Sequence, residues 1–239
     1  MELKDRVVLV TGGGSGVGAA VAHALADAGA LVTIAGRRAE ALAATAADTA
    51  IQTRVADIAD RMQAAELVAH VIAEFGRLDI LVQAAGVNIP RRRLEELAPA
   101  DWDYLMDVNA TGAFNIIHAA LPHMRRQHDG LVICISSTSG LRPSSLGGAA
   151  YSAAKSALMA LTRVIGIEEG ANGIRACTIS PGEIDTPLLA QRPTPVSDEH
   201  RARMLRPEDI AAAVTFVAAL PPRASVPELV ITPTLQPFS

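Results

Sequence analysis

Tyr151 and Lys155 stand four residues apart in Tyr151-Ser152-Ala153-Ala154-Lys155. On a helix that spacing puts both side chains on one face. A free phenol titrates near 10, too high for ready proton exchange at neutral pH, and a neighbouring ammonium stabilises the phenolate and lowers that value. Such a pair suits the carriage of a proton to or from an oxygen of a bound molecule. Both residue types are scarce here: of 21 lysines and arginines only Lys4 and Lys155 are lysines, and Tyr151 is one of 2 tyrosines. Arginine carries the remaining positive charge and holds its proton too firmly for this task. An ordinary exposed Tyr and Lys on a helix is the plain alternative, and that scarcity argues against it.

A second constellation lies at the other end of the chain. The β-branched run Arg6 to Thr11 leads into Gly12-Gly13-Gly14-Ser15-Gly16-Val17-Gly18 and then into an Ala-rich stretch with helical character. Glycines after a strand and before a helix allow a tight turn whose backbone N–H groups approach a pyrophosphate at the helix N-terminus. A dinucleotide site is therefore expected. An NAD site usually carries Asp or Glu about 20 residues further on, at the end of the second strand, for the ribose 2′-OH. Here that place reads Ala35-Gly36-Arg37-Arg38. Arginine offers a planar fork suited to a 2′-phosphate, so NADP(H) is expected, with NAD(H) the alternative should Arg37 and Arg38 only begin a surface helix.

These residues need a frame, and the chain alternates strand and helix almost throughout. Expected strands are Arg6 to Thr11, Leu31 to Ala35, Ile51 to Ala56, Leu78 to Ala84, Leu131 to Ser136, Ile174 to Ser180 and Glu228 to Thr232. Expected helices are Gly16 to Ala28, Arg38 to Ala47, Asp60 to Phe75, Asp101 to Gln127, Ala149 to Glu169 and Pro207 to Ala219. Apolar strands separated by helices imply a parallel sheet buried on both faces. No linker, repeat or low-complexity tract divides it, so one α/β domain over residues 1–239 is expected. Thr186 to Arg206 is polar and proline-containing and reads as an insertion over the end of the sheet. Ligands of such sheets bind beyond the carboxyl ends of the strands, where strand order reverses.

The spacing Thr11-Gly12-x-x-x-Gly16-x-Gly18 resembles that of the short-chain dehydrogenase/reductase family. Asp57 after the third strand, Ala85-Gly86 after the fourth, Asn109, Ser137, Tyr151-x-x-x-Lys155 and Pro181-Gly182-Glu183-Ile184-Asp185-Thr186 follow in the family's order, over nearly the whole chain. The resemblance implies a Rossmann-type doubly wound sheet of about seven strands. It also implies hydride transfer between NADP(H) and a carbonyl or secondary alcohol, with Tyr151 as general acid/base and Lys155 lowering its pKa. Ser137 would orient the substrate oxygen; counting back from Tyr151 points instead to Thr138, but the strand end favours Ser137. Asn109 would disturb its helix and hold a water that joins Lys155 in a proton relay.

Cofactor contacts implied by the same resemblance fall on Gly12, Gly14, Ser15, Gly16, Val17 and Gly18 for the phosphates, and on Arg37 and Arg38 for the 2′-phosphate. Asp57 and Ile58 would meet adenine, and the Ala84, Ala85 and Gly86 backbone the ribose. Asn109, Tyr151 and Lys155 belong to both sets of contacts. Pro181, Gly182, Ile184 and Thr186 would flank the nicotinamide, the last two holding its carboxamide. Family members commonly assemble through the Ala149 to Glu169 helix and the one before it, so a homo-oligomer, tetramer or dimer, is expected. The chain departs from the family in Gln83-Ala84-Ala85-Gly86, where Asn-Asn-Ala-Gly is usual. It departs again in Glu228 to Thr234, where Pro233 should end the last strand early.

Composition excludes other classes. A net charge of −4 offers no general attraction to nucleic acid or anionic membrane. The runs Arg91 to Arg93 and Arg125-Arg126 read as solvated faces. Cys134 and Cys177 each lie inside an apolar run and read as small buried hydrophobes. The six histidines show no ligand spacing, so no metal is expected. The charged start lacks the apolar core of a secretory signal, and no run of about 18 uncharged apolar residues suggests a membrane span. A cytoplasmic location is expected. Two competing functions remain: a non-catalytic NADP(H)-binding sensor or scaffold, whose mark would be a broken Tyr/Lys pair, and an epimerase or dehydratase, which would carry a larger C-terminal region.

Overall fold

Alternation of side chains across short apolar strands explains how one sheet comes to have two cores. The strands are β1 (Val7–Thr11), β2 (Leu31–Gly36), β3 (Gln52–Val55), β4 (Ile80–Gln83), β5 (Gly130–Ile135), β6 (Ile174–Pro181) and β7 (Glu228–Ile231). In the computed structural model, which describes residues 3–236, they form one sheet in the order β3-β2-β1-β4-β5-β6-β7. Every pairing is parallel. In β1, Val8 and Val10 face one core with Ile34, Val21, Leu25, Ile210 and Val214. Val7 and Leu9 face the other, with Leu81, Val71, Ile116 and Leu158.

Parallel neighbours need crossovers, and helices supply them on both faces. These are α1 (Gly16–Asp27), α2 (Ala39–Ala46), α3 (Arg61–Phe75), α4 (Pro99–Met106), α5 (Gly112–Gln127), α6 (Thr138–Leu141), α7 (Ala149–Glu168), α8 (Asp198–Arg201) and α9 (Pro207–Ala218). α1 packs beside α9 on one face, and α3 beside α5 on the other. Strand order reverses between β1 and β4, which opens a crevice between Thr11 and the segment after Gln83.

The structure departs from the sequence expectation in several places. The long helix is two helices, α4 and α5, joined by a π turn at Asp107–Thr111. There the Gly112 N–H reaches back five residues to the Asp107 carbonyl, while the Asn109 side chain takes the Leu105 carbonyl at 2.9 Å. β3 and β4 are shorter than the apolar runs that announced them. β7 stops at Ile231, whose carbonyl accepts from Gly182 at 2.7 Å; Pro233, with no N–H, cannot extend the ladder. Within the polar stretch, Pro187–Gln191 forms a 3-10 turn and Asp198–Arg201 forms α8, and Leu205 bridges to Ile184 at the end of the sheet. The short helix α6, just past β5, has no signal in the apolar pattern.

Cys134 and Cys177 are buried free thiols on β5 and β6, and burial pushes them up to about 11 and about 12. Among the described residues no helix is long and apolar enough to cross a membrane.

Candidate active site

A cleft of about 680 Å³ lies over the carboxyl ends of the strands. It is lined by every candidate residue from the sequence except Asn109. At its centre is the turn between β1 and α1. Gly12 takes φ +72, and a Cβ there would stand 2.6 Å from the Ala85 nitrogen, so only glycine lets the two walls of the crevice approach. A Cβ at Gly18 would meet the Gly12 carbonyl oxygen at 2.3 Å. Ser15, extended at the N-cap of α1, makes no side-chain cap. The first-turn N–H groups of a 12-residue helix are thus left without that usual partner, beside glycines that keep the approach open.

One end of the cleft is cationic. Arg37 donates to the Tyr104 hydroxyl at 3.3 Å and lies 3.9 Å from the Asp57 carboxylate; Arg38 reaches Ser15 Oγ at 3.4 Å. These are long contacts between half-exposed groups, and they leave both forks available. Asp57 caps locally, its Oδ1 accepting from the Ala59 N–H at 3.0 Å, with the buried Ile58 beside it.

The other end holds Tyr151, Lys155 and Ser137. α7 is entered at Gly148 and carries both residues of the pair one turn apart. Lys155 is buried, its Nζ donating to the Ile135 carbonyl at 2.9 Å, and lies 5.7 Å from the centroid of the Tyr151 ring. Burial pushes the lysine down to about 8. Ser137, N-cap of α6, is the hydroxyl that acts on Tyr151 and pulls its pKa down. Thr138, the other candidate, lines the cleft one position further on, inside α6.

Burial works against the lowering expected of Tyr151 and pushes its pKa above the ordinary value, while the Ser137 hydroxyl and the positive charge of Arg92 pull it down.

Asn109 stands behind the cleft, fully buried. Its Oδ1 accepts from the Val87 N–H at 2.9 Å, and Nδ2 donates to the Val87 and Leu105 carbonyls. The side chain therefore ties the π turn to the segment after β4. A Cβ at Gly86 would lie 3.0 Å from Asn109 Oδ1 and 3.2 Å from Lys155 Nζ, so all three converge. On the far wall, Pro181 and Gly182 lead to Ile184 and Thr186, and the Thr186 side chain would lie 3.4 Å from a Cβ on Gly16.

Sequence reasoning missed several supports. Ser136 Oγ holds the Lys155 carbonyl at 3.1 Å, Thr11 Oγ1 accepts weakly from the Ala85 N–H at 3.4 Å, and Gln236 accepts from the Glu183 N–H at 2.9 Å. Gln83, in place of the family's asparagine, is buried with no partner for either side-chain atom among the described residues. The largest correction concerns the Arg91 to Arg93 run: Arg92 is buried and lines the cleft, while its two neighbours are exposed. Three identical residues in a loop carry no periodicity from which one could be singled out.

The family model described as short chain dehydrogenase matches residues 6–196. A relative named cis-4-hydroxycyclohexanecarboxylate dehydrogenase, from Sinomonas cyclohexanicum, is 36% identical over 225 residues, covering 90% of each chain. Among solved structures, a 3-ketoacyl-(acyl-carrier-protein) reductase from Brucella melitensis complexed with NADH superposes with a TM-score of 0.90 at 26% identity, over 98% of this chain and 99% of that one. The closed form of a serine dehydrogenase complexed with NADP+ superposes with a TM-score of 0.88 at 27% identity, over 98% and 97%.

Proposed function

Because this chain belongs to the short-chain dehydrogenase/reductase family of oxidoreductases, we propose that it interconverts a carbonyl and a secondary alcohol with NADP(H). The observation that carries the reading is the convergence of Tyr151, Ser137 and Lys155 at one end of a cleft whose other end is cationic. The residues fit the cofactor. The uncapped start of α1 and the glycines suit a pyrophosphate, Arg37 and Arg38 a 2′-phosphate, and Asp57 and Ile58 the adenine edge and face. The Ala84 to Gly86 backbone suits a ribose, and Pro181, Gly182, Ile184 and Thr186 the nicotinamide end. No carboxylate stands at the end of β2 to accept from a 2′-hydroxyl, which supports NADP(H) over NAD(H).

The bound nicotinamide supplies the hydride chemistry. Tyr151 holds the proton that the substrate oxygen needs in reduction and takes it back in oxidation. Ser137, whose hydroxyl acts on Tyr151, orients that oxygen. Lys155 returns the proton to Tyr151 by way of the buried neighbourhood it shares with Asn109. With Tyr151 raised by burial alone, the positive charge that readies it comes from what else the site holds, Arg92 included. The 186–206 segment borders the same end and acts as the substrate lid. Homo-oligomer assembly belongs to the proposal: Phe114 on α5 and Val164 and Ile167 on α7 are large apolar side chains exposed to solvent.

The test is absorbance at the reduced-nicotinamide band with ketones and alcohols, for the parent and Tyr151→Phe. The variant is expected to bind the dinucleotide normally and to turn over about 100- to 10,000-fold more slowly. A Phe variant as fast as the parent would overturn the mechanism. Binding without turnover across the whole panel would favour the sensor.

A further inference from the structure

Two cations are buried in the cleft, Lys155 and Arg92; the proposed reaction moves a proton through the first and uses of the second only its charge. Arg92 is 6% exposed. Its Nε donates to the Ile89 carbonyl at 2.7 Å, one terminal nitrogen to the Leu146 carbonyl at 2.9 Å and the other to the Gln191 carbonyl. All three acceptors are neutral. The neighbouring cation Arg192 disfavours its charge further, and no carboxylate acts on it. Arg192 is in a different position, because it meets Glu183 at 3.1 Å, a carboxylate that also bonds His200 at 2.8 Å.

Burying a cation without a counter-anion is strongly disfavoured. A guanidinium has five N–H groups, and three are used here, which leaves two. The side chain is also fixed in place. It packs on Gly148, the N-cap of α7 three residues before Tyr151, where φ is +81 and a Cβ would stand 2.8 Å from Arg92 Cβ. The same cleft is lined by the apolar side chains of Ile89, Leu146, Leu188 and Leu189.

We propose that Arg92 is the receptor for a carboxylate of the substrate, so that the substrate is an oxo or hydroxy acid. An apolar spacer would part its carboxylate from the carbon that reacts beside Tyr151. The inference rests on the proposed function and names its substrate class. Arginine suits the role because its fork can take a carboxylate through two donors at once. The same charge favours the phenolate of Tyr151, so an arriving carboxylate would partly cancel that help and tie substrate binding to the proton step.

The test loads the protein with NADPH and follows cofactor fluorescence while cyclohexanecarboxylate or cyclohexanecarboxamide is added. The parent should bind the acid at least about 10-fold more tightly than the amide. Arg92→Met should abolish that preference, and Arg92→Lys should retain part of it. In turnover, Arg92→Met should reduce kcat/KM for 4-oxocyclohexanecarboxylate about 10- to 100-fold more than for its amide. Equal affinities in the parent would overturn the proposal without any variant. So would a preference that survives Arg92→Met, or equal losses on acid and amide, the mark of a residue that only fastens loops. Failure of the parent to bind NADPH at all would remove the proposed function and this inference together.

Discussion

At the amino-terminal edge of the sheet, Asp79 is buried and is met by Arg6 at 3.1 Å, by Arg77 through three contacts and by the Val7 N–H at 2.8 Å. At the carboxyl edge, Lys155 is equally buried and meets one neutral carbonyl, while Arg92 meets three. The first arrangement follows the ordinary rule that a buried charge is paired. The second breaks it twice within one cleft. Glu169, near the amino-terminal edge, repeats the first pattern, gripped by Arg125 and Asn172 and held down at about 2. The contrast separates charge that holds the fold from charge kept available for a ligand.

The sharpest way to break this contrast is Asp79→Ala. It removes the carboxylate that pairs Arg6 and Arg77 and caps Val7. We expect a loss of about 3–5 kcal/mol in unfolding free energy by denaturant titration, with dinucleotide affinity per folded molecule unchanged. A loss of affinity with little loss of stability would reverse the assignment of the two ends. Arg37→Ala is the converse, since its contacts with Tyr104 and Asp57 are long and half-exposed. It should leave the melting temperature within a degree or two of the parent and raise the KM for NADPH about 10- to 100-fold, with little change for NADH. Equal changes for both cofactors would remove the 2′-phosphate argument.

Two pH experiments sharpen the comparison by sign. Lys155 sits at about 8 when folded, below its ordinary value of 10.5, so its charge opposes folding. That opposition is complete below pH 8 and fades as pH rises toward 10.5, where the lysine is neutral in both states. The stability of the parent relative to Lys155→Met should therefore rise across that window, by roughly 1–3 kcal/mol in paired denaturant titrations; a fall would contradict the burial. Glu169 gives the opposite sign. Its folded pKa lies below the ordinary 4.5, so its contribution is present above that value and is lost as pH falls through 4.5 toward 2. The parent should lose more stability over that range than Glu169→Gln, by the smallest of these effects. Equal pH slopes would show the Arg125 pair to be idle.

How far the residues alone revealed these features depends on the range of the interaction. Strands and helices show in the chain because apolar periodicity and turn glycines act over a few residues, and all seven strands appear where β-branched runs stand. Tyr151 and Lys155 are readable for the same reason, being one helical turn apart. The π turn at Asp107–Thr111 is readable only as the helix disturbance at Asn109 that the family resemblance implied; its form is not, because it arises where the Asn109 side chain takes both a carbonyl four residues back and the backbone of Val87. The choice between Ser137 and Thr138 likewise needs α6, which no pattern announces.

By itself, then, the sequence determined the parallel sheet, the glycine turn, the Tyr–Lys pair and the arginines that follow β2, all of them local matters of spacing and residue type. Only the tertiary structure decided which of Arg91, Arg92 and Arg93 is buried, because its three carbonyl partners come from loops separated by up to 99 positions in the chain. It also decided that burial raises Tyr151, because desolvation is set by everything packed around a group and is not written in its neighbours along the chain.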